Sequence, residues 1–153
     1  MNTVVVFSPV GTYLGYRPAS ADNANLTVNE RVVTPELYAK KEGLSLVDGQ
    51  PVYSLVDFNK AILGTLKVFL ARHLDTKAKQ LGYDSALTLL SWVADPASLK
   101  FYQEAVYFAK WRTAATVAFH NIENQAKTDA KELPRPEDFL ALLPLHVAED
   151  AYI

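Results

Sequence analysis

The sequence contains no cysteine, which excludes disulfide bonds and thiolate metal sites, so packing must supply the stability of the fold. The amino terminus, MNTVVVFSPV, has only a short apolar run, too short for a signal-peptide core or a membrane span. We therefore expect a soluble, cytosolic product. The six glycines are scattered and form neither of the glycine-rich phosphate-binding patterns, which argues against nucleotide-dependent activity.

Clusters of positive charge are also missing. The 15 Lys and Arg residues nearly balance the 17 Asp and Glu residues, and no run of basic residues is longer than two. Binding to nucleic acid or to an acidic membrane surface is therefore not expected. Hydrophobic residues make up 50% of the chain, with eight Tyr, seven Phe and two Trp, which is typical of an ordered globular protein.

The hydrophobic pattern changes once, near residue 55, and this change predicts a β-rich head over residues 1–55. In the head, TVVVF and GTYLGY are typical of a hairpin, and LSLV and PVYSLV flank an Asp-Gly turn. The segment LTVNERVV predicts a strand with Leu26, Val28 and Val32 facing inward, after an exposed loop, RPASADNANL. TPELYAKKEG predicts one or two helical turns capped by Thr34.

Residues 56–153 are predicted to form a helical bundle domain. Apolar residues recur at three- and four-residue steps from Val56, and Gly82 marks the end of this first helix. Asp84 or Ser85 caps a short second helix. A third helix runs from Pro96 or Ser98 to about Gln125, with its apolar side at residues 99, 102, 106, 109, 115, 118 and 122, and a short fourth helix ends near Pro144. The predicted fold is α+β, a small β-rich N-terminal head followed by a three-to-four-helix bundle.

His73, Asp75 and Ser85 suggest a catalytic triad, but helical geometry argues against one. Residues two positions apart on a helix point about 200° away from each other, so Asp75 cannot orient His73. We expect Asp75 to pair with Lys79 on the surface and Ser85 to cap a helix. We predict no catalytic residues and no enzymatic activity.

Metal binding is also not expected. His73, His120 and His146 lie in three different segments, and none has a second ligand at a characteristic spacing except Glu123, three residues after His120. The neighbouring carboxylates Glu137 and Asp138 suit the positive end of the last helix. No metal and no cofactor are predicted.

The segment FYQEAVYFAKWRTAATVAF carries aromatic residues on more than one face of its predicted helix. Two interpretations remain open: the aromatic residues fill the core, or part of them binds a partner. The candidates for partner binding are Tyr107, Phe108, Trp111 and Arg112. Arg112 could instead join helices through Asp75 or Asp84.

Four short motifs in the helical region form one pattern: H-L-D at residues 73–75, G-Y-D-S at 82–85, F-x-x-E-A at 101–105 and W-R at 111–112. Together they resemble the small helical domain of tailed-bacteriophage tail proteins, found at the end of a tail fibre or in a small protein encoded beside the fibre. The resemblance covers about residues 56–145. Its structural motif comprises His73, Asp75, Gly82, Tyr83, Asp84 and Ser85.

The resemblance implies a noncatalytic phage protein made in the host cytoplasm. The expected role is an adaptor or structural component of the virion tail, associated with the tail fibre or the baseplate. The alternative is a tail-fibre assembly chaperone that is absent from the mature virion. The expected partners are other phage tail proteins or a second copy of the chain in a homo-oligomer, with no nucleic acid and no membrane.

Overall fold

The computed structural model describes residues 3–18 and 26–146, and these residues form two compact units. Unit 1 comprises the described residues within Met1–Leu63 and Ala130–Glu132, and unit 2 comprises those within Gly64–Asp129 and Leu133–Ile153. The predicted fold class is confirmed, because a β-rich N-terminal region is followed by helices. The division between the units falls after Leu63, inside the helix Leu55–Gln80.

Unit 1 contains a three-stranded antiparallel sheet with the strand order β2-β1-β3. Its strands are β1 (Thr3–Phe7), β2 (Tyr13–Pro18) and β3 (Glu30–Val33). The predicted hairpin is formed by β1 and β2, and its turn contains Gly11 at φ 83°. A Cβ on Gly11 would lie 2.9 Å from the carbonyl oxygen of Leu46, so both the backbone angle and the available space favour glycine here.

The prediction for the third strand was wrong in its extent and orientation. The strand begins only at Glu30, and Val28, expected to face inward, is 80% exposed. The Glu30 carboxylate is buried instead: its two oxygens accept hydrogen bonds from the backbone N–H of Thr27 (2.9 Å) and from Arg17 Nε (2.8 Å). These bonds close a turn before the strand. The inward and outward alternation of side chains that the prediction started at Leu26 therefore does not apply to residues before Glu30. The preceding predicted loop falls largely outside the described residues.

A second, two-stranded sheet consists of β4 (Leu44–Val47) and β5 (Gln50–Tyr53). As predicted, Asp48 and Gly49 form the connecting turn, and both have positive φ angles, 51° and 75°. The short helix α1 (Pro35–Tyr38) precedes this sheet, and its predicted cap is confirmed because Thr34 Oγ1 accepts a hydrogen bond from Leu37 N. The two sheets and α1 enclose a buried apolar cluster of Val5, Phe7, Val33 and Leu44.

The remaining regular structure is helical, and its ends agree closely with the sequence signals. The helices are α2 (Leu55–Gln80), α3 (Ala86–Ser91), α4 (Leu99–Thr128) and α5 (Pro136–Ala141). In the part of the chain that the structure describes, no helix is both long enough and apolar enough to cross a membrane.

The buried face of α4 differs from the predicted one. The predicted face began at Leu99, which is 63% exposed. The buried residues of α4 share only Ala115 with the predicted face: Ala105, Phe108, Trp111, Ala115, Phe119 and Ala126. Several turns of this helix offer apolar residues on two faces, and the stripe with the largest aromatic side chains is the one that is buried.

Candidate functional site

The corner between α2 and α3 is built around Gly82. This residue has φ 89°, its N–H donates to Lys79 O, and the N–H of Tyr83 donates to Ala78 O, each at 3.0 Å. This pair of bonds is the Schellman arrangement, in which a left-handed residue ends a helix and satisfies its last carbonyls. The predicted role of Gly82 as a helix terminator is confirmed.

The first turn of α3 receives two side-chain caps. Ser85 Oγ accepts a hydrogen bond from Thr88 N at 3.2 Å, and Asp75 Oδ1, from α2, accepts one from Ala86 N at 2.9 Å. Ser85 is therefore the cap that the sequence offered alongside Asp84. The expected pairing of Asp75 with Lys79 was wrong, because the first N–H groups of α3 lack intrahelical partners and a carboxylate is a strong acceptor for them.

Tyr83 connects the corner to α4. Its hydroxyl donates a short hydrogen bond of 2.5 Å to Glu104 Oε2, and its ring meets the ring of Phe101 edge-on at 6.4 Å. Phe101 in turn packs against Trp92, with ring centroids 4.9 Å apart. The G-Y-D-S and F-x-x-E-A motifs, about 20 residues apart in sequence, are thus in direct contact.

His73 lies against Trp111 rather than beside Asp75. The two ring centroids are 5.7 Å apart, and the indole Nε1 of Trp111 donates to Pro144 O at 2.9 Å. Burial, together with the positive charge of Lys77, lowers the pKa of His73. Because Asp75 and Ser85 both cap α3, the three residues of the suspected triad serve packing and capping.

The four residues predicted for partner binding have different environments. Phe108 is fully buried and Trp111 is 5% exposed, so the expectation that these two form a partner surface is corrected: both belong to the core of unit 2. Their size explains this, because a large aromatic side chain gains most from burial. Tyr107 is half-buried, and Arg112 is exposed.

Two features of unit 2 were not recognised in the sequence. One is a shallow apolar groove of about 410 Å³ lined by Val93, Val106, Ala109, Lys110 and Thr113. The other is the environment of His146, whose ring lies close to three aromatic rings of α4. No local signal marks His146, because its ring partners lie more than 30 residues earlier in the chain.

The chemistry of the described residues does not extend to a recognisable metal centre. Among residues 3–18 and 26–146, no group of three or more His, Cys, Asp or Glu side chains is placed to bind a metal ion. No family model matches the chain, and neither curated proteins nor solved structures include a significant match to it.

Proposed function

We propose that this protein is a noncatalytic component of a bacteriophage tail, an adaptor that associates with the tail fibre or the baseplate. One observation carries the proposal: the residues of the tail-protein pattern contact one another. Asp75 caps the helix that begins beside Ser85, Tyr83 bonds to Glu104, and His73 packs on Trp111. Because the separated motifs of the pattern contact one another, their residues belong to one folded unit.

The same contacts support a structural role over a catalytic one. His73, Asp75 and Ser85, the residue types best suited to catalysis, are engaged with an aromatic ring or with backbone N–H groups. Such contacts fix the orientations of the helices that they join. The exposed side chains of these helices are then available to bind partners. Of the four partner-binding candidates, Arg112 is the one with an exposed side chain, so we expect it to contribute to the contact with other tail proteins.

Quantitative mass spectrometry of purified phage particles tests the proposal. We expect the protein at a fixed number of copies per particle. Absence from particles, combined with a requirement for the protein during production of soluble fibre, would support the assembly chaperone instead. Absence from particles with no effect on the fibre would contradict both roles.

A co-purification experiment with the phage's own fibre and baseplate proteins tests the contact surface. We expect Arg112→Ala to reduce co-purification. Arg72→Ala is the matched control, because Arg72 is also an exposed arginine on a long helix. Equal binding by both variants and the unchanged protein would remove Arg112 from the interface.

A further inference from the structure

The imidazole of His146 is partly buried and packs against aromatic side chains of α4. Its ring centroid lies 4.8 Å from that of Trp111, 5.5 Å from that of Tyr107 and 6.2 Å from that of Phe108. The Nε2 atom is buried and has no hydrogen-bond partner among the described residues. Two residues earlier, Pro144 accepts the indole hydrogen bond of Trp111. Pro144 and His146 therefore both contact Trp111, while Leu145 between them is exposed.

This environment suits a neutral imidazole and not a charged one. In the neutral ring one nitrogen carries a proton and the other a lone pair, and the buried Nε2 fits the nitrogen with the lone pair. In the charged ring both nitrogens are donors, so the N–H at Nε2 would be buried without an acceptor. A buried, unsatisfied donor on a charged group is strongly unfavourable.

The groups around His146 add to this effect. From α2, Lys77 and His73 act on its charge, and both are basic; from α4, the facing titratable group is the phenol of Tyr107. Burial lowers the pKa of His146, and the positive charges of Lys77 and His73 lower it further. The aromatic rings would attract an imidazolium, but that attraction is opposed by the lost hydration and by Lys77.

We propose that residues 144–146 form an acid-sensitive strap on unit 2, which is closed while His146 is neutral and opens when it is protonated. Opening removes the Pro144 carbonyl from the indole of Trp111 and exposes the rings of Trp111 and Tyr107. The strap rests on the ring contacts and on the unpaired Nε2, and it does not depend on the proposed tail function.

The direction of the pH effect follows because the surroundings of His146 favour its neutral imidazole over the charged one. A histidine whose pKa is lowered by folding stabilises the closed state fully above its unfolded value, about 6.5. This stabilisation is lost as the pH falls from that value through the folded pKa, because the open state binds more protons. Burial and the charge of Lys77 also lower the pKa of His73, whose ring contacts Trp111, and the His146→Phe variant below keeps His73 in place.

Acrylamide quenching of Trp111 fluorescence measures the opening. The Trp92→Phe background leaves Trp111 as the only tryptophan in the chain, and the quenching constant is followed from about pH 8 to about pH 5. We expect a rise of about twofold or more on acidification, with far-UV circular dichroism unchanged. A constant that stays flat over this range, or a rise that accompanies loss of helix, would overturn the proposal.

Two variants separate the strap from a general effect of histidine titration. His146→Phe keeps a flat aromatic ring without a titratable group, and we expect its quenching constant to stay low at every pH. His120→Gln removes a histidine that lies beside Glu123 on α4, and we expect it to retain the full rise. A rise that persists in His146→Phe, or that disappears in His120→Gln, would contradict the assignment to His146.

Discussion

Unit 1 and unit 2 are fixed by different kinds of interaction. In unit 1, charged side chains tie the strands together: Arg17 bonds to Glu30 across the sheet, and Arg31 Nε donates to Gly49 O at 2.6 Å. In unit 2, helix ends are capped by Gly82, Ser85 and Asp75, and large aromatic residues fill the interior. The edges of short strands leave backbone N–H and C=O groups unpaired, and side chains can bond to them. Long helices pair most of their own backbone groups and need side-chain partners only at their ends.

This difference gives the units different responses to acid. The bonds from Arg17 and from Thr27 lower the pKa of Glu30 to about 2, so unit 1 contains a carboxylate that the fold keeps charged. Burial lowers the pKa values of His73 and His146, so unit 2 contains imidazoles that the fold keeps neutral. Mild acid should therefore affect unit 2 first, and strong acid should then affect unit 1.

The largest expected effect concerns the aromatic interior of unit 2. Phe108→Ala should reduce the free energy of unfolding by about 3–5 kcal/mol, because it removes a fully buried ring and leaves a cavity. The matched control is Phe101→Ala on the same helix, where the ring is 42% exposed and the expected loss is about 1 kcal/mol. Urea unfolding followed by circular dichroism measures both, and equal losses would contradict the assignment of Phe108 to the core.

A backbone effect of intermediate size is expected in unit 1. Gly11→Ala should cost about 1–3 kcal/mol, because alanine is strained at φ 83° and its Cβ would crowd the Leu46 carbonyl. Gly15→Ala is the control, since a Cβ there meets nothing within 4 Å. Thermal unfolding should separate the two variants clearly, and a loss in Gly15→Ala as large as that in Gly11→Ala would remove the steric explanation.

Capping of α3 gives a smaller effect in unit 2. Asp75→Ala should destabilise the protein by about 0.5–2 kcal/mol, because Ala86 N loses its acceptor. Asp84→Ala, at an exposed carboxylate beside the same helix start, should lose only the favourable charge at the helix end, about 0.3–1 kcal/mol. Hydrogen exchange at Ala86 measures the cap directly. Unchanged exchange in Asp75→Ala would show that the carboxylate is not the acceptor.

The smallest effect is the pH dependence of unit 1. The charged form of Glu30 stabilises the fold fully above its unfolded pKa of about 4.5, and this contribution is lost as the pH falls towards about 2. In Glu30→Gln, stability should therefore fall less steeply over this range than in the unchanged protein. Urea unfolding midpoints at a series of pH values measure the slopes, with Glu137→Gln on α5 as the control. Parallel slopes in all three proteins would contradict the role of Glu30.

Local signals predicted most of the secondary structure. Asp48-Gly49 predicted a hairpin turn, Thr34 a helix cap and Gly82 a helix end, and each is confirmed. These signals succeed because they depend on the conformational preference of one residue or on a bond spanning three or four positions. Glu30 shows the limit of such reasoning: a carboxylate within a predicted strand became buried because Arg17, on another strand, lies beside it.

The candidate site was less predictable. Helical spacing correctly placed His73 and Asp75 on different sides of one helix, which excludes the triad geometry. The partner predicted for Asp75 was wrong, because the N–H of Ala86 comes within reach only when α2 and α3 meet. The sequence also left open whether Phe108 and Trp111 belong to the core or to a surface that binds a partner. Helical periodicity leaves that choice open when two faces are apolar, and the competition for burial within unit 2 decides it.

Residue type and short-range spacing were enough to predict the approximate ends of the helices, the α+β class and the lack of any disulfide. The packing of the folded chain established which face of α4 is buried, that Asp75 caps α3, and that the ring of His146 contacts aromatic rings of α4. Each of these contacts joins residues distant in sequence, and its energy exists only after the chain has brought them together.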